Sequence, residues 1–495
     1  MSAADLRATT LAWARQFWDP ERHMVWNPPG SFDSATPPRS VHLTPNTAWV
    51  AYGLLGSDDP ADRAEAAAAV DVLIGIQYDE PGAAFHGTYA RVLEAPHPPD
   101  PPTMWVDYDP NWRQFVGTTF ALMLEDHAEA LGDERCERVL ASIALASEGE
   151  PDGRIDVNYA NPALMRAWLD AWLGARMGDA ALVERGEAFA RAVLAAHDTH
   201  GAFDEFNSPT YYGIDLYALR IWQVFPPTPY FAAEGERVER ELRAMAMRFY
   251  NPALRNFCGP YTRSYHPDAT RSVALFALWI WAAAGREAAP LPALDAPSID
   301  HGHDLMAGPV VARLAPSAGD AERATVTQFE GTRDIAMALA NDRAVTAHVE
   351  RDLMVGAESS PHDWRGWSQF MPFTAHWAEG ATTGVLWLLA PRRLRATVRG
   401  RGADLTPSHW PIELRVLASE CSATAHGFAT DALSVAVTGA VARVEPTGAS
   451  DYRVVLELTE DEPGDPVGHE RGLVLTFDLH GDRAGDVDGV ALQLD

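Results

Sequence analysis

The stretch GPYTRSYHPD, residues 259–268, places two tyrosines, an arginine and a histidine within six residues. A phenol or an imidazole can remove or deliver a proton, and a nearby guanidinium stabilises the negative charge that such a transfer creates. The stretch precedes an apolar helical pattern, and packing gives little reason for so many polar groups there. We therefore predict that Tyr261, Arg263, Tyr265 and His266 are catalytic.

A second polar stretch, FNSPTYYG at 206–213, opens another apolar helical pattern. Asn, Ser and Pro are frequent at helix N-termini, because their side chains satisfy the free amides of the first turn or fit its backbone. Helix capping alone would thus explain Asn207 and Ser208 taken singly. The paired Tyr211 and Tyr212 are not explained by capping and are candidates for a functional site.

Polar openings of this kind recur at intervals of roughly 50 residues, which is typical of a repeat of one supersecondary unit. They begin the apolar helical patterns at 43–55, 109–124, 158–174, 206–222 and 265–285. More charged, amphipathic patterns alternate with them at 61–77, 179–198 and 234–250. A helix that is apolar nearly all round is buried, whereas one with a charged face lies outside. With an opening helix at 3–18, the alternation predicts an incomplete (α/α) toroid of about five helical hairpins, and the signature of a tetratricopeptide solenoid is not found.

The composition changes near residue 290, after which short runs rich in Val and Thr are separated by Gly, Pro and Asp. Many short strands of this kind pack most naturally as an antiparallel sandwich. We predict an α+β multidomain fold with an α/α toroid at 1–290, a linker at 291–304 and an antiparallel β-sandwich at 305–495.

The loops before the inner helices of such a toroid converge at one end, so residues distant in sequence meet at a single cleft. We expect this cleft to be the substrate-binding site. The polar and aromatic candidates that the loops supply are His42, Asn46, His86, Asn111, Trp112, Arg113, Asn158, Tyr159, Asn207, Tyr211 and Tyr212.

The overall charge limits the classes of partner. The formal net charge is −30, and all 39 basic residues are arginine, since the sequence contains no lysine. Nucleic acid and anionic membranes are therefore poor partners, and a Schiff-base or P-loop lysine is excluded. The acidic surplus would also repel an anionic substrate unless arginines were focused in the cleft. Oligomeric state is left open.

Cofactor and targeting signals are not found in the sequence. Cys136, Cys258 and Cys421 are far apart and show neither a zinc-ligand nor a disulfide pattern, and no metal motif is present. We therefore predict no cofactor and no catalytic metal. The N-terminal segment lacks the features of a signal peptide and no apolar run approaches about 20 residues, so we expect a cytoplasmic protein that does not cross a membrane.

The chemistry that suits tyrosine, histidine, arginine and asparagine without a metal is β-elimination at a uronic acid. Arg and Asn donors neutralise the sugar carboxylate, which makes the proton on the adjacent carbon more acidic. A Tyr or His removes that proton, and a Tyr protonates the departing glycosidic oxygen. We expect a neighbouring arginine to lower the pKa of the tyrosine that acts as the base.

The predicted layout resembles several polysaccharide lyase families, including the heparinase II/III-like enzymes and the chondroitin and hyaluronate lyases. GAFDEFNSPTYYG, residues 201–213, is similar to a heparinase II/III-like pattern of Gly, Glu, Ser and a Tyr-His pair. These positions are held here by Gly201, Glu205, Ser208 and Tyr211, with one extra residue before Ser208, and Tyr212 stands in place of the histidine. The resemblance implies a lyase with Tyr211 as its catalytic tyrosine and Glu205 at the substrate.

Three other interpretations remain open. An α/α-toroid glycoside hydrolase of the unsaturated glucuronyl hydrolase kind would need paired carboxylates. The acids available to it are Asp107, Asp109, Asp156, Asp204, Glu205 and Asp215. A terpenoid cyclase is weakly indicated by WVDYDPNW at 105–112, and a carbohydrate-binding protein without activity would use the same polar loops. The segment 362–380 is expected to pack the sandwich on the toroid, with His362, Arg365 or His376 as further candidates for the cleft.

Overall fold

A computed structural model describes residues 2–31, 36–362, 369–388, 393–458 and 471–480. The α-helices in these ranges are α1 Ser2–Arg15, α2 Thr44–Leu55, α3 Pro60–Gly75, α4 Trp112–Asp126, α5 Ala128–Leu131, α6 Asp133–Glu148, α7 Ala160–Met177, α8 Ala180–His200, α9 Tyr211–Val224, α10 Pro229–Phe249, α11 Leu275–Ala284, α12 Gly308–Leu314 and α13 Asp320–Thr327. A 3-10 helix, Gly302–Ala307, precedes α12.

Short strands lie between the helices, and longer ones follow them. The short strands are β1 Trp18–Asp19, β2 Met24–Trp26, β3 His42–Leu43, β4 Tyr250–Asn251 and β5 Asn256–Phe257. The later strands are β6 Arg333–Leu339, β7 Arg343–Val349, β8 Leu353–Ser359, β9 Phe373–Glu379, β10 Thr382–Leu388, β11 Leu394–Arg399, β12 Gly402–Pro407, β13 Ile412–Leu417, β14 Ser422–Thr424, β15 Gly427–Ala429, β16 Leu433–Thr438, β17 Ala440–Gly448, β18 Asp451–Leu458 and β19 Leu473–Leu479.

The helices form an inner and an outer set. In the inner set, α2 packs on α4, α4 on α7, α7 on α9 and α9 on α11, while α1 contacts both α11 and α2. Outside them, α3, α6, α8 and α10 pack against α2, α4, α7 and α9. Every residue of α7 from 160 to 174 is buried, whereas α8 buries one stripe. This is the distribution that the two hydrophobic patterns predict.

The chain returns to the inner helices after α11. Helix α12 contacts α1, α2, α9 and α11, and the approach to α1 is close, because a Cβ atom on Gly308 would lie 2.1 Å from Thr10 Oγ1. Residues 302–314 and 320–327 are helical, and the first strand of the large sheets begins at Arg333. The predicted boundaries at residues 290 and 305 stay a prediction.

The later strands form two antiparallel sheets. The larger has the order β17-β18-β13-β10-β9-β8-β7-β6, and the smaller β11-β12-β19-β16-β15-β14. Residues from both sheets, such as Val355 and Phe477, share one hydrophobic cluster. With helices first and antiparallel strands after them, the predicted α+β class is confirmed.

Strand β8 is buried on both faces, because it lies between the smaller sheet and the helices. Val355 faces the cluster shared by the two sheets. Its neighbour Met354 points the other way and packs in a cluster with Phe206, Phe249 and Cys258 of the helical part. Alternate residues of a strand face opposite sides of the sheet, so one strand contacts both layers.

Across the described residues, no helix combines the length and the apolar character that crossing a bilayer requires.

Candidate functional site

A cleft of about 800 Å³ opens where the starts of α2, α4, α7, α9 and α11 meet the 3-10 helix. Each of the five predicted polar openings contributes to its lining, as expected of loops that converge at one end. The predicted site residues that line it are Asn46, Asn111, Trp112, Asn158, Tyr159, Glu205, Tyr211, Arg263 and Tyr265. Their roles remain a prediction, whereas their proximity is a property of the structure.

Four of these residues, Glu205, Tyr211, Arg263 and Tyr265, form a connected group, here called the tyrosine cluster. The hydroxyls of Tyr211 and Tyr265 are 2.5 Å apart and share a hydrogen bond. Arg263 donates from Nη2 to Tyr211 Oη at 2.6 Å and from Nη1 to Glu205 Oε1 at 2.5 Å. Its guanidinium carbon also lies 3.8 Å from the centre of the Tyr211 ring. Charge-assisted bonds of this kind hold the phenol in one orientation.

The turn before α9 positions Tyr211. The hydroxyl of Ser208 accepts a hydrogen bond from the Tyr211 backbone N–H at 3.1 Å, which satisfies one free amide of the first turn. Asn207 has a left-handed φ of 50°, a conformation that asparagine tolerates better than most residues. Its amide donates to the carbonyls of Cys258 and Pro260 at 2.7 and 2.9 Å. Asn207 thereby fixes the loop that carries Arg263 and Tyr265.

The larger sheet also holds this loop. Arg343 of β7 is buried and donates to Glu358 Oε1 at 2.7 Å, to Asp204 Oδ1 at 2.5 Å and to Thr262 Oγ1 at 2.5 Å. Asp204 and Thr262 directly precede Glu205 and Arg263 in the sequence. The sheet therefore ties together the two segments from which the tyrosine cluster is built.

Burial keeps both phenols of the cluster protonated. It raises the pKa of Tyr211 well above the ordinary tyrosine value of 10.0, although the charge of Arg263 acts in the opposite direction. Burial likewise raises the pKa of Tyr265. Arg263 lowers the tyrosine pKa as expected, but the loss of water around the phenol outweighs that charge, so the net shift is upward. At neutral pH the pair is suited to donating a proton.

Three residues of the predicted site lie in the core beside the cleft. Tyr261 is fully buried, and its hydroxyl donates to the Phe257 carbonyl at 2.5 Å. Tyr212 is buried inside α9. The Nδ1 atom of His266 accepts a hydrogen bond from the Asp268 backbone at 3.0 Å, and its ring lies near Trp387. None of these three side chains lines the cleft.

Four predicted substrate-binding residues are likewise used by the scaffold and do not line the cleft. His42 stacks on Trp26 and lies between two carboxylates, while His86 accepts a hydrogen bond from the Glu80 amide. Arg113 is fully buried and donates to backbone carbonyls, including that of His86 at 2.9 Å. Asn207 binds the carbonyls described above. Their polar groups satisfy buried loop atoms that would otherwise lack partners.

Several other candidates can also be placed. Of the acids that a hydrolase would use, Asp109, Asp156, Asp204 and Glu205 line the cleft, whereas Asp107 and Asp215 do not. His362 and His376 do not line it either, and Arg365 lies outside the described residues. Gln369 does line it, and its side-chain oxygen accepts a hydrogen bond from Arg263 Nε at 3.0 Å.

The segment HGHD, residues 301–304, falls within the predicted linker, so its place in the cleft was not predicted from the sequence. His301, His303 and Asp304 line the cleft, and the His301 ring stacks on Tyr265 with ring centres 4.0 Å apart. Burial lowers the pKa of His301 below its ordinary 6.5 and that of His303 to about 3, so both rings are neutral at pH 7. Burial and the charge of Asp300 raise the pKa of Asp304 to about 7. The signal in the sequence for this part of the cleft was the pair His301 and His303, separated by one residue and followed by Asp304.

A second group, here called the tryptophan cluster, consists of Arg91, Trp105 and Trp112. All three line the cleft, although the sequence analysis selected Trp112 alone. The indole N–H of Trp112 donates to the Arg91 carbonyl at 3.3 Å, and Arg91 Nη1 donates to the Val106 carbonyl at 2.7 Å. These bonds join the loop at 103–108 to the start of α4.

One group of possible metal ligands occurs among the described residues, and it lies outside the cleft. Ligand atoms of His197, Asp198 and Glu241 are within 4.8 Å of one another. Arg237 already bonds both Asp198 and Glu241 at 3.0 Å, so a guanidinium balances their charge.

Comparison with solved structures gives matches of low identity. Heparinase III matches with 9% identity over 88% of this chain and 75% of that chain, at a TM-score of 0.41. A second heparinase III matches with 10% identity over 88% and 77%, at a TM-score of 0.29. Endoglucanase CelQ from Clostridium thermocellum, complexed with cellotriose, matches with 10% identity over 90% and 86%, at a TM-score of 0.25. Among curated proteins, no significant match is found.

A family model for a domain of unknown function, DUF8769, matches residues 4–316. This range is more than half of the chain and contains both clusters and the 3-10 helix beside them. The chain therefore belongs to the DUF8769 family.

Proposed function

We propose that this protein is a carbohydrate-active enzyme, a lyase that cleaves a uronic-acid-containing oligo- or polysaccharide by β-elimination in the cleft. On this proposal the inner and outer helices form an incomplete (α/α) toroid, and the two large sheets form a β-sandwich. The successive contacts of the inner helices and the hydrophobic cluster shared by the sheets support this arrangement.

The single observation that carries the proposal is the bond of 2.5 Å between the hydroxyls of Tyr211 and Tyr265 at the cleft surface. Tyr265 is 38% exposed and Tyr211 is 9% exposed, so Tyr265 is the member that reaches a substrate. Tyr211, backed by Arg263, is the member that stabilises its partner. Two coupled phenols beside a guanidinium can hold negative charge on oxygen after a proton has been given away.

The first step is removal of the proton on the carbon next to the uronate carboxylate. We assign it to His301, because a neutral imidazole has an acceptor nitrogen and this ring lies against Tyr265. The imidazolium that forms is favoured by the nearby charge of Asp300. His301 therefore replaces His266, the histidine that was predicted to be catalytic, as the proposed base.

In the second step the electron pair left on carbon forms the new double bond and breaks the bond to the glycosidic oxygen. Tyr265 gives its proton to that oxygen. The resulting phenolate accepts the hydrogen bond of Tyr211, whose own oxygen is bonded by Arg263. Return of the proton from His301 to Tyr265 restores the starting state.

The proposal changes the role of Arg263. From the sequence, arginine was expected to neutralise the substrate carboxylate. Its bonds to Glu205, Tyr211 and Gln369 already engage it, so it acts on the tyrosines. The amides of Asn46, Asn111 and Asn158 each use one N–H within the protein, and their second N–H is the donor that the cleft offers to a carboxylate.

The test is ultraviolet absorbance of the unsaturated uronate product during incubation with a panel of uronic-acid oligosaccharides. Wild type is expected to give a rising absorbance, and Tyr265→Phe and Tyr211→Phe are expected to reduce the rate by about 100-fold or more. Tyr217→Phe is the matched control, because Tyr217 lies on the same helix and its hydroxyl bonds Thr118 away from the cleft. A Tyr265→Phe rate equal to that of wild type would remove the proposed proton donor.

A second candidate function is glycoside hydrolysis. The observation that favours it is Asp304, a cleft acid whose pKa of about 7 suits a general acid. Asp156, which also lines the cleft, would then be the second carboxylate. Release of reducing ends without any rise in absorbance, lost in Asp304→Asn, would select this alternative.

A further inference from the structure

The cleft contains two arginines, and their surroundings differ. Arg263 forms an ion pair with Glu205 and has three of its five N–H groups bonded to side chains. Arg91 has one recorded bond, from Nη1 to the Val106 carbonyl, and forms no ion pair with any described residue. Its charge is therefore available within the cleft.

Asp109 and Arg91 form no ion pair, although both line the cleft. Asp109 lines the same part of the cleft and is influenced by the charge of Arg91. Burial raises the pKa of Asp109, which disfavours the ionised form that would pair with a guanidinium.

Trp105 is the other unusual member of the tryptophan cluster. It is 52% exposed, and it is the one described tryptophan that is more than a third exposed. Its φ of 60° is left-handed, which costs a bulky residue about 1 kcal/mol or more and persists where neighbouring contacts fix it. Here its backbone N–H donates to the Tyr108 carbonyl at 2.8 Å, and Asp107 accepts from the Thr103 amide at 2.7 Å. These bonds hold the loop that carries the exposed Trp105 side chain at the cleft.

We propose that Arg91 and Trp105 form a subsite that binds a sugar ring carrying an anionic substituent. The indole covers the apolar face of the ring, and the guanidinium binds the carboxylate or sulfate group. The subsite rests on the proposed function and extends it, because it identifies which residues select an acidic saccharide.

The hydrogen bond from Arg91 to the Val106 carbonyl links the guanidinium to the loop that carries Trp105. The guanidinium that binds the anion also holds the loop next to Trp105. A guanidinium has enough donors to keep the Val106 bond and still bind an oxyanion through a second nitrogen. Binding of the anion would therefore not require Trp105 to move.

The experiment is calorimetric titration of protein carrying Tyr265→Phe, so that the probes are not consumed. The probes are tetragalacturonate, a hyaluronate tetrasaccharide, a sulfated galactan tetrasaccharide and cellotetraose. Trp105→Ala is expected to weaken binding of the anionic probes about tenfold, and Trp105→Phe to restore most of it. Arg91→Gln is expected to weaken the same probes by about 10- to 100-fold without affecting cellotetraose, with partial rescue in Arg91→Lys.

Two controls keep the result specific. Met177→Ala alters an exposed residue at the end of α7, and Arg240→Gln removes an exposed arginine of α10. Neither is expected to change binding. A preference for the uronates over the sulfated probe assigns the site to carboxylates, and the reverse assigns it to sulfates.

Each other outcome has a defined meaning. Unchanged affinity for the anionic probes in Arg91→Gln and Trp105→Ala would overturn the subsite and leave the elimination mechanism standing. Binding that depends on Arg91, while protein with Tyr265 intact forms no unsaturated product from the same probe, would overturn the mechanism and leave the subsite standing. Failure of all four probes to bind would overturn both.

Discussion

The tyrosine cluster and the tryptophan cluster line the same cleft, yet they differ in how far their polar groups are satisfied. Arg263 is held by Glu205, Tyr211 and Gln369, and its side chain is 15% exposed. Arg91 has a single recorded bond, and Trp105 next to it is 52% exposed.

This difference in bonding suits the two clusters to different roles in the proposed function, one in proton transfer and the other in substrate binding. A network whose donors are already bonded costs little to reorganise during a reaction, which is the property of a preorganised active site. A charge and an aromatic face with few partners gain new contacts when a ligand arrives. The comparison supports the proposal that proton transfer takes place at the tyrosine cluster and substrate selection at the tryptophan cluster.

The largest effect is expected from Arg263→Met. This change leaves the buried Glu205 without its cation, which costs about 3–5 kcal/mol when one partner of a buried pair is removed. It also removes the donor to Tyr211, so turnover should be lost. Urea unfolding followed by circular dichroism measures the free energy of unfolding. An unfolding free energy equal to that of wild type would show that the cluster is not the connected network described here.

The loops of the tyrosine cluster show how much the sequence could predict. Helical periodicity located nearly all of the inner and outer helices, and α9 begins at Tyr211, within the predicted segment 206–222. The polar openings were correctly expected to meet at one cleft. The sequence did not show which of the two adjacent tyrosines, Tyr211 or Tyr212, would line the cleft, because both have the same side chain. Their burial depends on the rotation of α9 against its neighbours.

The tryptophan cluster and the HGHD segment show what the sequence could not predict. Trp105 stood in a stretch considered for its acids, and its exposure depends on a loop conformation fixed by Arg91 and Tyr108. Residues 301–304 reach the cleft because the following helix, α12, packs back on α1 and α2. A contact between segments so far apart has no periodic signal in a single sequence.

The pH dependence of turnover sharpens the comparison at the tyrosine cluster. The neutral base His301 is available above its pKa, which burial lowers below 6.5, so the rate should fall only in more acidic solution. The donor Tyr265 stays protonated below its pKa, which burial raises above 10.0. We therefore expect a plateau from about pH 6.5 to about pH 10 in the initial rate of absorbance change. A rate that falls as the pH rises through about 7 would instead indicate catalysis by protonated Asp304.

The smallest effect is expected from Arg91→Gln on stability. Because Arg91 has one recorded bond to a carbonyl and no ion pair, the free energy of unfolding should fall by about 1 kcal/mol at most. Differential scanning calorimetry at matched protein concentration measures the change beside that of Arg263→Met. A loss as large as that of Arg263→Met would mean that Arg91 has a structural role like that of Arg263.

The most direct test of β-elimination is the mass of the products formed from a defined uronic-acid oligosaccharide in water enriched in heavy oxygen. Elimination adds no water, so the two product masses should sum to the substrate mass, and the new reducing end should carry no heavy oxygen when it is sampled before its anomeric oxygen exchanges with water. Product masses that sum to the substrate plus one water, with heavy oxygen at the new reducing end, would contradict the mechanism and establish hydrolysis.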